Sequence, residues 1–198
     1  MKKALELPLG ITISDNPIVL GKDDPIEIEF RNVSYDYVEK GKIVPVLRDV
    51  SFVAKSGEVV GILGRSGVGK STLYKLIYRY EDPTSGDIFI NGINLKEIDL
   101  DSLRRKLGFI AQEYEPFSGT ILENLLFGIP DSELKPTHDE AWELAKDFKL
   151  DFGEARLTDR LLTKVGHKGT KLSGGQKQRV GIVAAVMGVV HTMGSVGL

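Results

Sequence analysis

The sequence predicts an α/β fold in which a glycine-rich turn joins a buried strand to a helix, and three observations carry that expectation. Ile26, Ile28 and Phe30 alternate with Glu27, Glu29 and Arg31, the period of a half-buried strand. The run Val59, Val60, Gly61, Ile62, Leu63 does not alternate, as expected of a strand covered on both faces. Directly after the intervening loop, Leu73, Leu76, Ile77 and Tyr80 recur at helical spacing.

The elements follow in order. Residues 1–25 show no sustained periodicity, carry Pro8, Pro17 and Pro25 and read as a linker or lead-in to a domain over 26–198. After the first strand and a polar loop, Val50, Phe52 and Ala54 give a second alternation, and Lys55-Ser56-Gly57 turns into the Val59–Leu63 run. The helix after the glycine-rich loop stops before Pro83. Asn91-Gly92 between apolar runs is a hairpin signal, because both residues accept positive φ. Leu100 to Lys106 reads as a short helix and Leu107 to Ala111 as a short strand, followed by helices at Thr120 to Phe127 and after Thr137. Thr137 has Glu140 three residues on, a capping box, with Ala141, Leu144, Ala145 and Phe148 on the buried face and Trp142 towards one edge. Strands and helices around one strand-turn-helix unit indicate α/β with a helical insertion.

The connecting loop, Gly64 to Thr72, is GRSGVGKST, with the spacing G-x-x-x-x-G-K-[ST]. Its glycines let the backbone wind tightly, so that successive N–H groups converge on an anion and the following helix aims its positive end there. Lys70 is placed to reach terminal phosphates and the Ser71 hydroxyl to sit on Mg²⁺, with Gly64, Arg65, Ser66, Gly67, Val68, Gly69 and Thr72 completing the cradle. A glycine-rich turn with an incidental Lys-Ser is the bland alternative.

Bulk properties set limits. A chain of 198 residues with 41% apolar and 27% charged residues has the composition of an ordinary globular domain with a sizeable core. The net charge of −2 provides no general attraction for nucleic acid. Without cysteine there are no disulfides and no thiolate metal sites, which fits a reducing compartment. The N-terminal stretch, interrupted by Glu6 and Pro8, is a poor signal peptide, and Val180 to Leu198 is too rich in glycine for a good membrane span. It reads as a buried helix with a frayed end. A cytoplasmic chain is expected.

A second motif, Leu172 to Val180, is LSGGQKQRV: Ser173 as an N-cap, Gly174 and Gly175 freeing the backbone for close approach, and a polar helix behind them. Paired with the phosphate loop about a hundred residues earlier, it resembles the nucleotide-binding domain of the ATP-binding cassette (ABC) family, in which LSGGQ is the signature motif. The resemblance runs from about Ile26 to about Ile182. It implies a P-loop NTPase core with an antiparallel β subdomain and a helical subdomain, and ATP with Mg²⁺ as cofactors. Tyr37 stands where the family places its adenine-stacking aromatic residue; Tyr35 is the alternative, and a tyrosine at a strand end is the plain one. Asp82 to Asp87, followed by the Asn91-Gly92 turn, also looks like the family. Gln112 matches the glutamine that contacts Mg²⁺ or the attacking water. Gly119 to Asn124 and Thr163 to Gly169 are similar to segments of exporter-type cassettes, although His167 stands where that second segment usually carries glutamate. As a lone loop histidine it is expected to be solvated.

The resemblance further implies head-to-tail pairing with a second nucleotide-binding domain, where Ser173, Gly174, Gly175 and Gln176 act in trans on the partner's ATP. It also implies transmembrane domains as partners, at the inner face of a membrane, with hydrolysis driving export. One element of the family pattern is missing: no apolar run in these 198 residues ends in Asp-Glu, the pair that supports Mg²⁺ and supplies the general base. Asp139-Glu140 follows Pro-Thr-His and suits a helix N-terminus. The expectation is a cassette truncated after its signature, without its Walker B part, hydrolysis-deficient by itself and marginal or partner-dependent in folding. The alternative is a binding module that holds nucleotide, or donates its signature to a complete cassette, without catalysing anything.

Overall fold

The computed structural model describes residues 11–130, 133, 135–150 and 161–193, with the side chains of 192 and 193 outside the description. The frayed end expected near Leu198 lies outside the described residues. The chain divides into two compact units, residues 1–104 and 105–198.

The first unit is built on an antiparallel sheet, strand order β2-β1-β3-β4, from β1 (Ile28–Glu39), β2 (Lys42–Ala54), β3 (Ser85–Ile90) and β4 (Ile93–Asn94). The predicted first strand is longer than its alternation suggested. It runs on through Tyr37 to a two-residue hairpin at Lys40 and Gly41, both at positive φ, as a tight turn between right-twisting strands requires. The Asn91-Gly92 hairpin forms as expected, with φ of 52° and 77°. Irregular pairing at Asn32 and Asp49, both at positive φ, is held by side chains: Asn32 Nδ2 donates to Asp49 Oδ1 at 2.7 Å. Gly86 lies against this irregularity at φ +75°, and a Cβ there would stand 2.3 Å from the Asn32 carbonyl oxygen.

Phe30, Val33, Leu47, Ile88 and Ile90 are buried, and α1 (Lys70–Ile77) adds Leu73 and Leu76 to the buried residues of this unit. Beyond β4 comes α2 (Leu100–Arg105), with Leu103 fully buried. Residues of the lead-in are tied to the same unit. Ile18 bridges Ile98, and the buried Arg79 guanidinium pairs with Asp82 and donates to the Thr12 carbonyl.

Two predicted strands are absent. Val59 to Leu63 has no strand pairing, and Val59 and Leu63 are 97% and 96% exposed, so this run is not the covered strand that its composition predicted. A strand exists only where neighbouring backbone accepts and donates its hydrogen bonds, and among the described residues no strand lies alongside this one. Leu107 to Ala111 likewise forms no strand, with Phe109 and Ile110 roughly half exposed.

The second unit is helical: α3 (Ile121–Leu126), α4 (His138–Asp147) and α5 (Gly174–Met193) enclose Ile121, Leu125, Ala141, Ala145, Val165, Val180 and Val183. The predicted Thr137–Glu140 capping box is present, and Thr120–Glu123 forms a second one. In each, the Thr hydroxyl accepts from the Glu backbone N–H while the carboxylate accepts from the Thr backbone N–H. The backbone donor is the main reason that Glu123 and Glu140 titrate below the usual glutamate range, followed by the threonine hydroxyl. No helix among the described residues is long and apolar enough to cross a membrane.

Thr137→Ala is expected to lower stability by about 1 kcal/mol, measured by denaturant unfolding. Because the Glu140 pKa is depressed on folding, its contribution is present above the ordinary glutamate value of 4.5 and fades as pH falls through the lower folded value. Acid titration of Glu140→Gln should therefore show a shallower loss of stability below that value. Gly86→Ala, which forces a left-handed backbone and a clash with the Asn32 carbonyl, should cost more than about 1 kcal/mol in the same assay.

Candidate nucleotide site

The phosphate loop is positioned by one glycine. Gly69 adopts φ +98° at the N-cap of α1, and a Cβ there would stand 2.8 Å from Val46 Cγ1 and 2.9 Å from Leu47 Cδ2 of β2. The left-handed backbone and the lack of space both require glycine. Gly67, at φ +80°, turns the loop one step earlier in open space. At the start of α1 the N–H groups of Thr72 and Leu73 bond back to the Gly69 carbonyl. The N–H groups of Gly69, Lys70 and Ser71 have no acceptor among the described residues. They form a row of donors at the positive end of a helix, which is the chemistry of an anion cradle.

Lys70 folds back across this loop, its Nζ donating to the carbonyl oxygens of Gly64 at 2.8 Å and Arg65 at 2.7 Å. Both acceptors are exposed main-chain carbonyls, which a phosphate oxygen can replace as partner for the ammonium at little net cost. Arg65, Ser66 and Val68 lie on the exposed arc of the loop and Ser71 is exposed in the first turn of α1, while Thr72 is buried. The residues present thus fit a triphosphate with Mg²⁺ in their chemistry: backbone amides without another acceptor among the described residues, a flexible cation and the exposed Ser71 hydroxyl.

Tyr37 lies on β1 opposite Val44, half-buried, and its phenol oxygen is 3.4 Å from Thr72 Oγ1 and 3.1 Å from Lys75 Nζ. The hydrogen bond with Thr72 is the first cause of a lowered phenol pKa, with Lys75 adding to it. Tyr35 is only 7% exposed and packs edge-on to Tyr37 with ring centroids 4.9 Å apart. Of the two tyrosines, Tyr37 therefore has the accessible ring beside α1.

In the second unit, Gln112 is exposed at a bend. Ser173 caps α5 reciprocally with Gln176: its hydroxyl accepts from the Gln176 backbone N–H at 3.2 Å, and the Gln176 side-chain oxygen accepts from the Ser173 N–H at 2.8 Å. Gly174 and Gly175 are exposed, have no positive φ, and face open space where a Cβ would stand. Nothing among the described residues requires glycine at either position. His167 is exposed in a short 3₁₀ turn, as expected of a solvated side chain. Among the described residues no cluster of His, Cys, Asp and Glu could hold a metal.

Sequence reasoning missed the contacts that hold Gln112 near the signature helix. Gln178 Nε2 donates to the Ala111 carbonyl at 3.3 Å, and Gly181 lies so close to the Tyr114 ring that a Cβ would stand 2.7 Å from it. The buried Asn124 bonds the backbone of Phe117 and Thr120, bracing the segment after Gln112. No periodicity marks these residues, because each acts through a contact distant in sequence.

The loop, helix and signature define a P-loop nucleotide-binding fold, and the comparisons make it more specific. The ABC transporter family profile matches residues 47–191. The chain is 37% identical over 185 residues to the rat mitochondrial iron-sulfur clusters transporter ABCB7, covering 93% of this chain and 22% of that protein. It is 41% identical over 160 residues to the Bacillus subtilis ABC transporter ATP-binding protein YfiB, covering 81% of this chain and 27% of that protein. A structure titled as a bacterial Atm1-family ABC exporter with ATP bound superimposes with a TM-score of 0.80 at 32% identity, over 94% of this chain and 32% of the other. The chain belongs to the ABC transporter family and is an ATP-binding cassette of the exporter type. It spans about a quarter of the length of these curated relatives.

Gly69→Ala should unseat the start of α1, seen as lost thermal stability together with lost anion binding at the loop. Gly67→Ala, where only the backbone angle is strained, should show the smaller stability loss of the two.

Proposed function

We propose that this cassette binds MgATP at Gly64 to Thr72 and donates its Ser173 to Gln176 signature to a second cassette, as part of an exporter whose membrane domains lie outside these residues. Tyr37 stacks on adenine, Lys70 and the loop amides hold the terminal phosphates, and the Ser71 hydroxyl holds Mg²⁺. Gln112 approaches Mg²⁺ or the attacking water, and its segment also meets the membrane domains. The complex sits at the inner face of a membrane.

The observation that supports this reading most directly is the phosphate loop itself, with three amides that have no acceptor among the described residues and the Lys70 ammonium on its own loop carbonyls. Support for action in trans comes from Gly174 and Gly175, which leave open space on an exposed helix start where nothing among the described residues packs. A bound nucleotide brings a purine face for Tyr37 and phosphate charge for Lys70. The chain's own part is to bind, orient and exclude water.

Phosphoryl transfer depends mostly on positioning and electrostatics, yet the attacking water still needs a base. None of the 198 residues stands in an Asp-Glu pair after an apolar run. A second reading, for these 198 residues taken by themselves, is a cassette that binds without cleaving at its own loop. In a pair with a complete cassette, the site built on the partner's loop would take this signature, and the site at Gly64 to Ser71 would take no base from these 198 residues.

The full 198-residue chain is expected to bind MgATP and to show little or no hydrolysis. Lys70→Ala should weaken binding at least about tenfold, about 1.4 kcal/mol, by titration calorimetry. Adding the chain to a purified complete cassette should raise ATPase activity, and Ser173→Arg should abolish the gain. Hydrolysis by the pure chain that disappears in Lys70→Ala would refute the non-cleaving reading, and no gain at saturating chain would refute donation in trans.

A further inference from the structure

The ring of Tyr37 sits near an exposed strand end. Its neighbours Val38 and Ile43 are 73% and 71% exposed, and the Lys40-Gly41 hairpin follows directly. The ring is held by the edge-on Tyr35 ring, with centroids 4.9 Å apart, and by its polar end. Thr72 Oγ1 lies 3.4 Å and Lys75 Nζ 3.1 Å from the phenol oxygen. The same ammonium is 5.2 Å from the ring centroid, so it caps the phenol oxygen and does not cover the ring centre. Both partners belong to α1, three residues apart and therefore on one helix face. The first turn of that helix is the phosphate cradle.

We propose that Lys75 is a positioning residue for base recognition: its ammonium, with the Thr72 hydroxyl, clasps the Tyr37 phenol and presents the ring to a purine from the same helix that holds the phosphates. The inference rests on Tyr37 being the base platform. A ring fixed beforehand loses less side-chain entropy on stacking, so the clasp strengthens the base-dependent part of affinity and leaves the phosphate part alone. Lys75 stands five residues beyond Lys70, and its Nζ is engaged with the phenol, so its charge contributes through the tyrosine. The lowered phenol pKa agrees with a hydroxyl held by a neighbouring hydroxyl and a cation.

The test separates base from phosphate. Titration calorimetry of the full chain with MgATP and with magnesium tripolyphosphate gives the ratio of the two affinities for the unsubstituted protein, Tyr37→Ala, Lys75→Met and Lys75→Arg. Tyr37→Ala is expected to remove most of the preference for ATP. Lys75→Met should lower that preference several-fold with tripolyphosphate binding unchanged, and Lys75→Arg, which keeps a cationic donor, should restore it. A Lys75→Met ratio equal to that of the unsubstituted chain, with Tyr37→Ala impaired, overturns the clasp alone. Equal weakening towards both ligands in Lys75→Met also overturns it, since the lysine then supports the loop or the helix. A ratio unmoved by Tyr37→Ala, or no binding of either ligand by the unsubstituted chain, overturns the underlying assignment and the clasp with it.

Discussion

The phosphate loop depends on the close approach of Gly69 to β2, where the backbone turns left-handed within van der Waals reach of Val46 and Leu47. That contact joins a flexible glycine arc to a rigid sheet and starts α1 in a fixed direction. The N–H groups of Gly69, Lys70 and Ser71, without an acceptor among the described residues, stand at the start of that helix. The same helix carries Thr72 and Lys75 to the phenol of Tyr37 on β1. A single backbone constraint therefore organises both the loop amides and the contacts of α1 with Tyr37.

The second unit solves a different problem. Its signature glycines stand exposed at a helix start, which leaves that end of α5 with little packing among the described residues. The Ser173–Gln176 capping box meets this need by satisfying helix-end donors without covering Gly174 or Gly175. Further along, α5 is anchored through Gln178 and Gly181 to the segment that carries Gln112, and Asn124 braces that segment from beneath. The signature helix and the Gln112 segment are thereby joined through direct contacts.

Local signals were legible where a residue's own backbone demands decide the structure. The Asn91-Gly92 hairpin, the Thr137 cap and the loop ending in Gly69-Lys70-Ser71 all formed as their residues require. Val59 to Leu63 was misread for a physical reason: an apolar run states that a segment would be buried by neighbours, and it cannot supply them. The extension of β1 through Tyr37 escaped notice because Ser34 and Asp36 break the apolar alternation, although the β2 partner keeps the backbone paired there. Asn124, Gln178 and Lys75 were unreadable in sequence, since polar residues on helices are ordinary until their distant partners are known.

The sequence by itself determined the family, the phosphate loop, the signature and the absence of an Asp-Glu pair after an apolar run, because each is a pattern of residue types at short spacing. Tertiary structure decided which of two tyrosines has the accessible ring and which apolar run lacks a strand partner. It also decided which polar side chains hold the site segments in place. These outcomes depend on what lies across space from a residue, and chain order does not carry that information.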